Sequence, residues 1–228
     1  MTKVLGILGS PRPFGGSAQL LFCALEAAQR EGAETEARSV YEGEIKPCQG
    51  CIQDEDPNCR FPCIFDDYGK ELLVKVREAD VIIFATPVYW YAPSGLLKNL
   101  IDRLTCLENM VAYGEPSYME GKVIGVITVG ADAGLTLAGG YLLTALNAMG
   151  AIVPPWAHAY SRLADKALTD DRAVMDAINV GLLSVGLAKR LRGEEGRLSY
   201  LDNRDLLAEI RRKVKEKGER LHGASSFG

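Results

Sequence analysis

Six cysteines stand at positions 23, 48, 51, 59, 63 and 106, and four of them, Cys48, Cys51, Cys59 and Cys63, fall within sixteen residues. Thiolates are soft ligands and redox-active nucleophiles, so a group of this kind points to a metal site or to thiol redox chemistry. Structural disulfides belong to oxidising compartments. The apolar run of the first ten residues is too short for a signal peptide, and no stretch is long and apolar enough to span a bilayer. A cytoplasmic location with reduced thiols is therefore expected, which favours metal or redox use of the four. Cys23 and Cys106 lie inside helical patterns and read as buried core cysteines.

Three further segments carry residue types that could bind a ligand. The first is Gly9-Ser10-Pro11-Arg12-Pro13-Phe14-Gly15-Gly16-Ser17. It lacks the Lys-Ser/Thr pair of a Walker loop and the GxGxxG dinucleotide turn. Hydroxyls from Ser10 and Ser17, the Arg12 guanidinium, and close backbone approach at Gly15 and Gly16 still suit one phosphate at a helix start. The second is Thr86-Pro87-Val88-Tyr89-Trp90-Tyr91-Ala92-Pro93. Three consecutive aromatics at a strand end suit a planar heterocycle, or packing against a neighbouring helix or subunit. The third is Gly130-Ala131-Asp132-Ala133-Gly134, where small residues allow a ring to approach the backbone or simply make a turn. His158 and His222 belong to no serine–histidine–acid or paired-carboxylate arrangement.

The elements that must position these loops follow from hydrophobic patterning. Lys3–Leu8, Thr35–Tyr41, Asp80–Ala85, Lys122–Val129 and Ala151–Ala157 read as strands, the last limited by Pro154 and Pro155. Ser17–Glu31, Asp66–Ala79, Ser94–Leu104 (with Ser94 as N-cap) and Leu135–Met149 read as helices. Strands without alternation are buried on both faces. Interleaved with helices, they predict an α/β fold, a three-layer doubly wound parallel sheet of five strands. Ligands of such sheets sit at the carboxyl ends of the strands, where the three loops lie. The domain is expected over residues 1–190, with a cysteine-rich loop at 45–65 and a C-terminal helical extension at 191–228. In that extension Arg204–Leu221 is an amphipathic helix expected to dock on the core or on another subunit, with Gly223–Gly228 frayed.

Length and composition agree. The 228 residues are 47% hydrophobic and 25% charged, with a net charge of −4. That is ordinary for a globular chain and excludes a global basic field, so neither nucleic acid nor membrane is expected as a partner.

The motifs Gly9-Ser10-Pro11-Arg12 with Ser17, Thr86-Pro87-Val88-Tyr89-Trp90, Leu96-Leu97-Lys98 with Asp102-Arg103, and the stretch from Gly130 are together similar to those of a known family. The chain resembles the flavodoxin-like NAD(P)H-dependent FMN reductases over about Lys3–Tyr160, and within them the iron–sulfur flavoproteins. The resemblance implies FMN, with its phosphate on Ser10, Arg12, Gly15, Gly16 and Ser17. Its ring would lie against Thr86, Pro87, Val88, Tyr89, Trp90, Gly130, Ala131 and Gly134. Position 16 is Gly where the family often carries Asn. Asp102-Arg103 matches a pair that is structural or at a subunit contact.

Cys63-Ile64-Phe65-Asp66-Asp67 is similar to the family's last cluster cysteine and the acidic pair after it. The spacing Cys48-x2-Cys51-x7-Cys59-x3-Cys63 departs from the family pattern: Asp54 stands where the third cysteine would fall, and Cys59 is an additional one. The resemblance implies a [4Fe–4S] cluster on Cys48, Cys51, Cys59 and Cys63; a zinc site or free redox thiols are the other readings of the same loop. The implied activity is electron transfer from NAD(P)H or another reduced carrier through FMN to the cluster, or to a small-molecule or protein acceptor. A plain NAD(P)H:quinone or FMN reductase and a non-enzymatic electron carrier are the alternatives. A homodimer or homotetramer is implied as well.

Overall fold

The computed structural model describes residues 1–53 and 58–225. Asp54, residues 226–228 and the side chain of His222 lie outside the described residues. The elements run β1 (Lys3–Leu8), α1 (Gly16–Arg30), β2 (Glu34–Ser39), α2 (Tyr68–Glu78), β3 (Val81–Tyr89), β4 (Ala92–Pro93), α3 (Gly95–Arg103), α4 (Thr105–Glu108), β5 (Val123–Val129), α5 (Leu135–Ala148), β6 (His158–Ser161), α6 (Asp171–Leu191) and α7 (Arg204–Ser225).

Five strands pair in parallel in the order β2-β1-β3-β5-β6, and the two-residue β4 folds back antiparallel on the end of β3. This is the flavodoxin-like order. The central strands β3 and β5 are apolar without alternation because helices cover both their faces; Val81 to Ala85 and Val123 to Val129 are buried throughout. One core lies between the sheet and α1, α6 and α7. The other lies between the sheet and α2 to α5 and also takes in Cys51, Cys59 and Cys106.

The expected fifth strand at Ala151–Ala157 is displaced. Only Ile152 bridges to Val123, and the strand itself is His158–Ser161. Pro154 and Pro155 have no N–H to give the ladder, and Trp156 turns the chain with φ of 58° before pairing resumes. The helix α6 is not announced by an amphipathic stripe, since it is buried on much of its circumference between the sheet, α1 and α7. Ser94 holds the N-cap position of α3 but its hydroxyl makes no cap bond; its N–H donates instead to Thr86 Oγ1 at 3.1 Å. The helix α7 docks on the core through Leu207, Ile210 and Val214, and it continues through Gly223 to Ser225 rather than fraying there.

Two contacts fix the layers. A Cβ at Gly181 of α6 would lie 2.1 Å from the carbonyl oxygen of Ala24 in α1, so these helices touch backbone to backbone. On the other face, Thr128 Oγ1 donates to Leu135 O at 3.0 Å and stands 2.8 Å from His158 Nε2. With the hydroxyl proton committed to Leu135, Nε2–H of His158 must be the donor, leaving Nδ1 bare. Burial drives the His158 pKa down to about 4.

Gly181→Ala is expected to force α1 and α6 apart and cost about 1–3 kcal/mol, read as a Tm lowered by roughly 2–12 °C. An unchanged Tm would mean the helices separate freely. Because the folded pKa of His158 lies below its ordinary value, the unfolded chain binds more protons between about pH 6.5 and pH 4, and stability falls as pH drops through that window. The loss is about 3 kcal/mol at most. His158→Gln should flatten this part of the profile in urea denaturation.

Candidate functional site

The carboxyl ends of β1, β3 and β5 open onto a cavity of about 200 Å³. Its walls come from Ser10, Arg12, Gly15, Gly16 and Ser17, from Pro87, Val88 and Tyr89, and from Val129, Gly130 and Ala131, closed by Ala164 and Asp165. Ten of the residues singled out in the sequence therefore meet here. Thr86, Trp90 and Gly134 do not line it. Thr86 is fully buried beneath, accepting from Ser94 N and donating to Pro87 O at 2.9 Å. Gly134 starts α5 in a left-handed conformation with φ of 93° and packs under Tyr91.

The helix α1 begins at this cavity. Gly15 caps it without a side-chain bond, and no acidic residue occupies its first turn. The N–H groups of Gly16, Ser17 and Ala18 have no acceptor within the helix, and with the helix dipole they favour an anion. The Ser10 hydroxyl shapes the preceding turn, accepting from Arg12 N at 3.2 Å. Arg12 Nη1 donates to both carboxylate oxygens of Asp165, at 2.7 and 2.8 Å. Both side chains are well exposed, at 69% and 63%, so the pair contributes about 1 kcal/mol at most and opens at little cost.

Asp165 belongs to a strap that follows β6 and was not foreseen from sequence. The buried Gln19 holds it: Nε2 donates to Asp165 O at 2.9 Å and to Phe14 O at 3.1 Å, and Oε1 accepts from Leu168 N at 3.1 Å. Asp170 anchors the far end, accepting from Ser161 Oγ and capping α6 at Ala173 N. The only advance signal was a buried-type position, Gln19, carrying an amide within an otherwise apolar helix.

At the other wall, β3 turns into β4 through Trp90 and Tyr91, with φ of 50° and 67°. Positive φ at both central residues of a two-residue hairpin is ordinarily met by Asn-Gly. Two bulky aromatics there store strain of the kind found at functional sites. Tyr89 thereby reaches the cavity, while Trp90 is held at the tip, 93% exposed.

The cysteine loop lies elsewhere, against α3 and α4. Asp67 caps α2, accepting from Lys70 N at 3.0 Å, and also accepts from Lys46 N at 2.9 Å. Arg103, wholly buried at the end of α3, grips the same carboxylate at 2.9 and 3.1 Å, bonds Lys46 O at 3.1 Å and points Nε at Cys63 Sγ at 3.1 Å. Burial pushes the Asp67 carboxyl up, but the bonds from Arg103, Lys46 and Lys70 outweigh it and hold it below its ordinary range. Asp102 is outside this network and pairs with Lys98 at 2.6 Å.

Of the four loop thiols, Cys51 and Cys59 are buried in the core beneath the loop, Cys63 is half-buried and Cys48 is exposed. Cys59 is raised to about 12 by burial and by the charges of Cys51, Cys48 and Cys63 around it. Cys63 is drawn down to about 5, first by a hydrogen bond from Cys106 and then by Phe65 N and Arg103. Cys106 is buried in the core beneath this loop together with Cys51 and Cys59, as its helical pattern suggested. Cys23 does sit alone in the opposite core, raised to about 12 by burial. Among the described residues no three such side chains are drawn to metal-ligand spacing.

The model of the family described as NADPH-dependent FMN reductase matches residues 2–164. An iron–sulfur flavoprotein of Methanocaldococcus jannaschii is 42% identical over 131 residues, 57% of this chain and 63% of that one. An iron–sulfur flavoprotein of Archaeoglobus fulgidus is 35% identical over 155 residues, 67% of this chain and 65% of that one. The chain thus spans a little under two thirds of the length of these curated relatives. Among solved structures, RosB with bound 8-demethyl-8-formylriboflavin-5'-phosphate superposes with a TM-score of 0.71 at 21% identity, covering 95% of this chain and 88% of that one. That likeness concerns the fold. With more than half of its length matched by the family model and the loops at β1, β3 and β5 gathered around one cavity, the chain belongs to the NADPH-dependent FMN reductase family.

Proposed function

We propose that the protein is an FMN-dependent oxidoreductase that takes electrons from NAD(P)H or another reduced carrier. The observation that carries this reading is the uncapped start of α1 facing a cavity at the strand ends where sheet order reverses. Bound FMN would supply hydride acceptance and the release of electrons singly or in pairs. The chain's residues would bind and orient it. Ser10, Ser17 and the first N–H groups of α1 hold the phosphate, and Arg12 neutralises it after leaving Asp165. Pro87, Val88 and Tyr89 face Gly130 and Ala131 across the space for the ring. Thr86 and Gly134 shape the two loops from behind. No side chain is needed as acid or base for hydride transfer.

The thiols of Cys48, Cys51, Cys59 and Cys63 would hold an iron–sulfur cluster that passes electrons onward to a small-molecule or protein acceptor. A cluster is supported by the iron–sulfur flavoprotein relatives. Self-association is supported by the exposed aromatic tip, since Trp90 and Tyr91 adjoin α5, whose outer face shows Leu137 and Tyr141 to solvent.

Anaerobically purified protein is expected to show flavin bands over a broad brown absorbance, with iron and sulfide by chemical analysis. Flavin bands without iron would leave a plain NAD(P)H:quinone or FMN reductase, zinc in place of iron would make the centre structural, and a colourless chain unable to take up FMN would overturn the reading. Steady oxidation of NADH or NADPH separates an enzyme from a carrier. Arg12→Ala is expected to weaken FMN binding about ten-fold, about 1.4 kcal/mol. Asp165→Asn should tighten it a few-fold, because it frees Arg12 and removes a negative charge beside the phosphate. Calorimetric titration reads both, and unchanged affinity in both would place the phosphate elsewhere.

A further inference from the structure

A second cavity, of about 350 Å³, lies at the ends of β1 and β2, whereas the first lies at the ends of β1, β3 and β5. The two share only Ser10. Leu8 of β1 and Leu21 and Phe22 of α1 line it from the core, where all three are buried. Pro11 and Pro13 line it from the loop that follows β1. Tyr41, beyond β2, and Leu221, in α7, line it as well and are 40% and 38% exposed. Two large apolar side chains from opposite ends of the chain therefore stand at the rim of this space without closing it. Its volume is that of a small-molecule site.

The polar groups of the lining are answered within the protein. Arg38 holds Glu36 Oε1 with Nε at 2.7 Å and with Nη2 at 2.6 Å. Glu42 accepts from Ser39 N at 2.9 Å and from Tyr68 Oη at 2.7 Å. Ser39 Oγ accepts from Tyr41 N at 3.2 Å, and Ser10 Oγ accepts from Arg12 N at 3.2 Å. Among the described residues of the lining only Arg38 and Glu42 are charged; they are opposite in sign and 3.9 Å apart. A charged ligand would lose hydration here and meet no unmatched countercharge. Water would find few open partners. An apolar compound loses little on entry and covers hydrocarbon wall, with the rings of Phe22 and Tyr41 to pack against.

We propose that this cavity is a second binding site, separate from the flavin site, and that it takes an uncharged aromatic compound of two or three rings. The wall from α7 is what makes it a site rather than an open groove. Gly218 lies so close on Phe14 that a Cβ would not fit, Phe14 stacks on Phe22, and Lys217 Nζ stands 4.0 Å over the Phe22 ring. These contacts fix the last turns of α7 and bring Leu221 to the rim. The family match ends at residue 164, so this wall is built by the part of the chain outside the shared region.

The test is calorimetric titration of the full chain, saturated with FMN, with 2-naphthol, which is uncharged at neutral pH, and with 2-naphthoate, which carries a negative charge on the same rings. One 2-naphthol is expected per chain, with 2-naphthoate at least about ten-fold weaker. Ala37 is an exposed residue of β2 that lines the cavity, so Ala37→Phe fills the space from the strand and should weaken 2-naphthol at least about ten-fold while FMN affinity stays at the wild-type value. Leu221→Asp places a charge at the rim and should weaken it in the same way; if Ala37→Phe does not fold, Leu221→Asp decides the matter. Absence of 2-naphthol binding overturns the proposal. So does wild-type binding in the variants, equal affinity for 2-naphthoate, or release of FMN by 2-naphthol, which would place the probe in the first cavity. A chain that takes up no FMN overturns the flavin reading alone, and the same titrations on the unloaded chain then decide this one.

Discussion

Strand β1 is paired on both flanks, with β2 on one side and β3 on the other, and this single constraint generates the site. From β1 the chain crosses through α1 to β2, and from β2 it returns through α2 to β3 beyond β1. Parallel crossovers have one hand, so these two opposite steps send α1 and α2 to opposite faces of the sheet. The loops leaving β1 and β3 then part above the strand ends, and nothing in the backbone fills the gap between them. The pairing of Leu8 with both Ser39 and Ala85 carries the ladder up to the edge of that gap, and the bond from Gly9 N to Ala85 O at 2.7 Å ends it. Because α1 starts at the gap, its unpaired N–H groups are directed into it. The uncapped helix start at the cavity is thus a consequence of strand order, and Ser10, Arg12 and Ser17 line the space in front of it.

The cysteine loop has a different support. Between β2 and α2 the described chain forms only one short 3-10 turn at Cys51–Gln53, so backbone ladders do not hold it. The buried pair of Arg103 and Asp67 does. Two unpaired charges at this depth would each cost several kcal/mol. Here Asp67 receives four hydrogen bonds and Arg103 donates four, so both are satisfied. Lys46 is clamped at its N–H by one partner and at its carbonyl by the other, which fixes the entrance of the loop next to its exit at Cys63. Asn109 adds a bond to Cys59 O at 2.7 Å from beyond α4. The loop can then spend its few apolar residues, Ile45, Cys51 and Cys59, on the core beneath.

What was legible in the sequence was what short-range pattern encodes. Asp-Val-Ile-Ile-Phe-Ala could only be a strand covered on both faces, and Gly9 to Ser17 could only be a turn into a helix built without a cap. What was not legible depends on partners far along the chain. Asp165 faces Arg12 across 153 positions, and Gln19 reaches Asp165 across 146. The last strand was placed too early because Ala151–Val153 has strand composition, while the prolines after it delay pairing until His158. Trp90 and Tyr91 were read as a ring-facing wall, since nothing in three adjacent aromatics reveals that the hairpin would force two of them into positive φ and turn Trp90 outward.

Position 16 is where α1 meets the strap. A Cβ there would lie 1.8 Å from the carbonyl oxygen of Ala164 and 2.9 Å from Val129 Cγ1, so the strap occupies the space that an asparagine side chain would need. Glycine at this point and the strap are one structural choice: the wall that a side chain of α1 would have provided is supplied by backbone from beyond β6. Ala164 accepts φ of 38° to make that contact, a conformation that costs energy for any residue with a Cβ and that persists only when its surroundings enforce it. Gln19 and Asp170 are those surroundings. The family match ends at residue 164, and the chain after it forms α6 and α7, which pack along α1 through Gly181 against Ala24, Gly218 over Phe14 and the ion pair of Glu26 with Lys213. The segment outside the shared family region is therefore the one that buttresses the helix whose first turn faces the cavity. Packing of α6 and α7 on α1 thereby supports the helix whose first backbone N–H groups face the cavity.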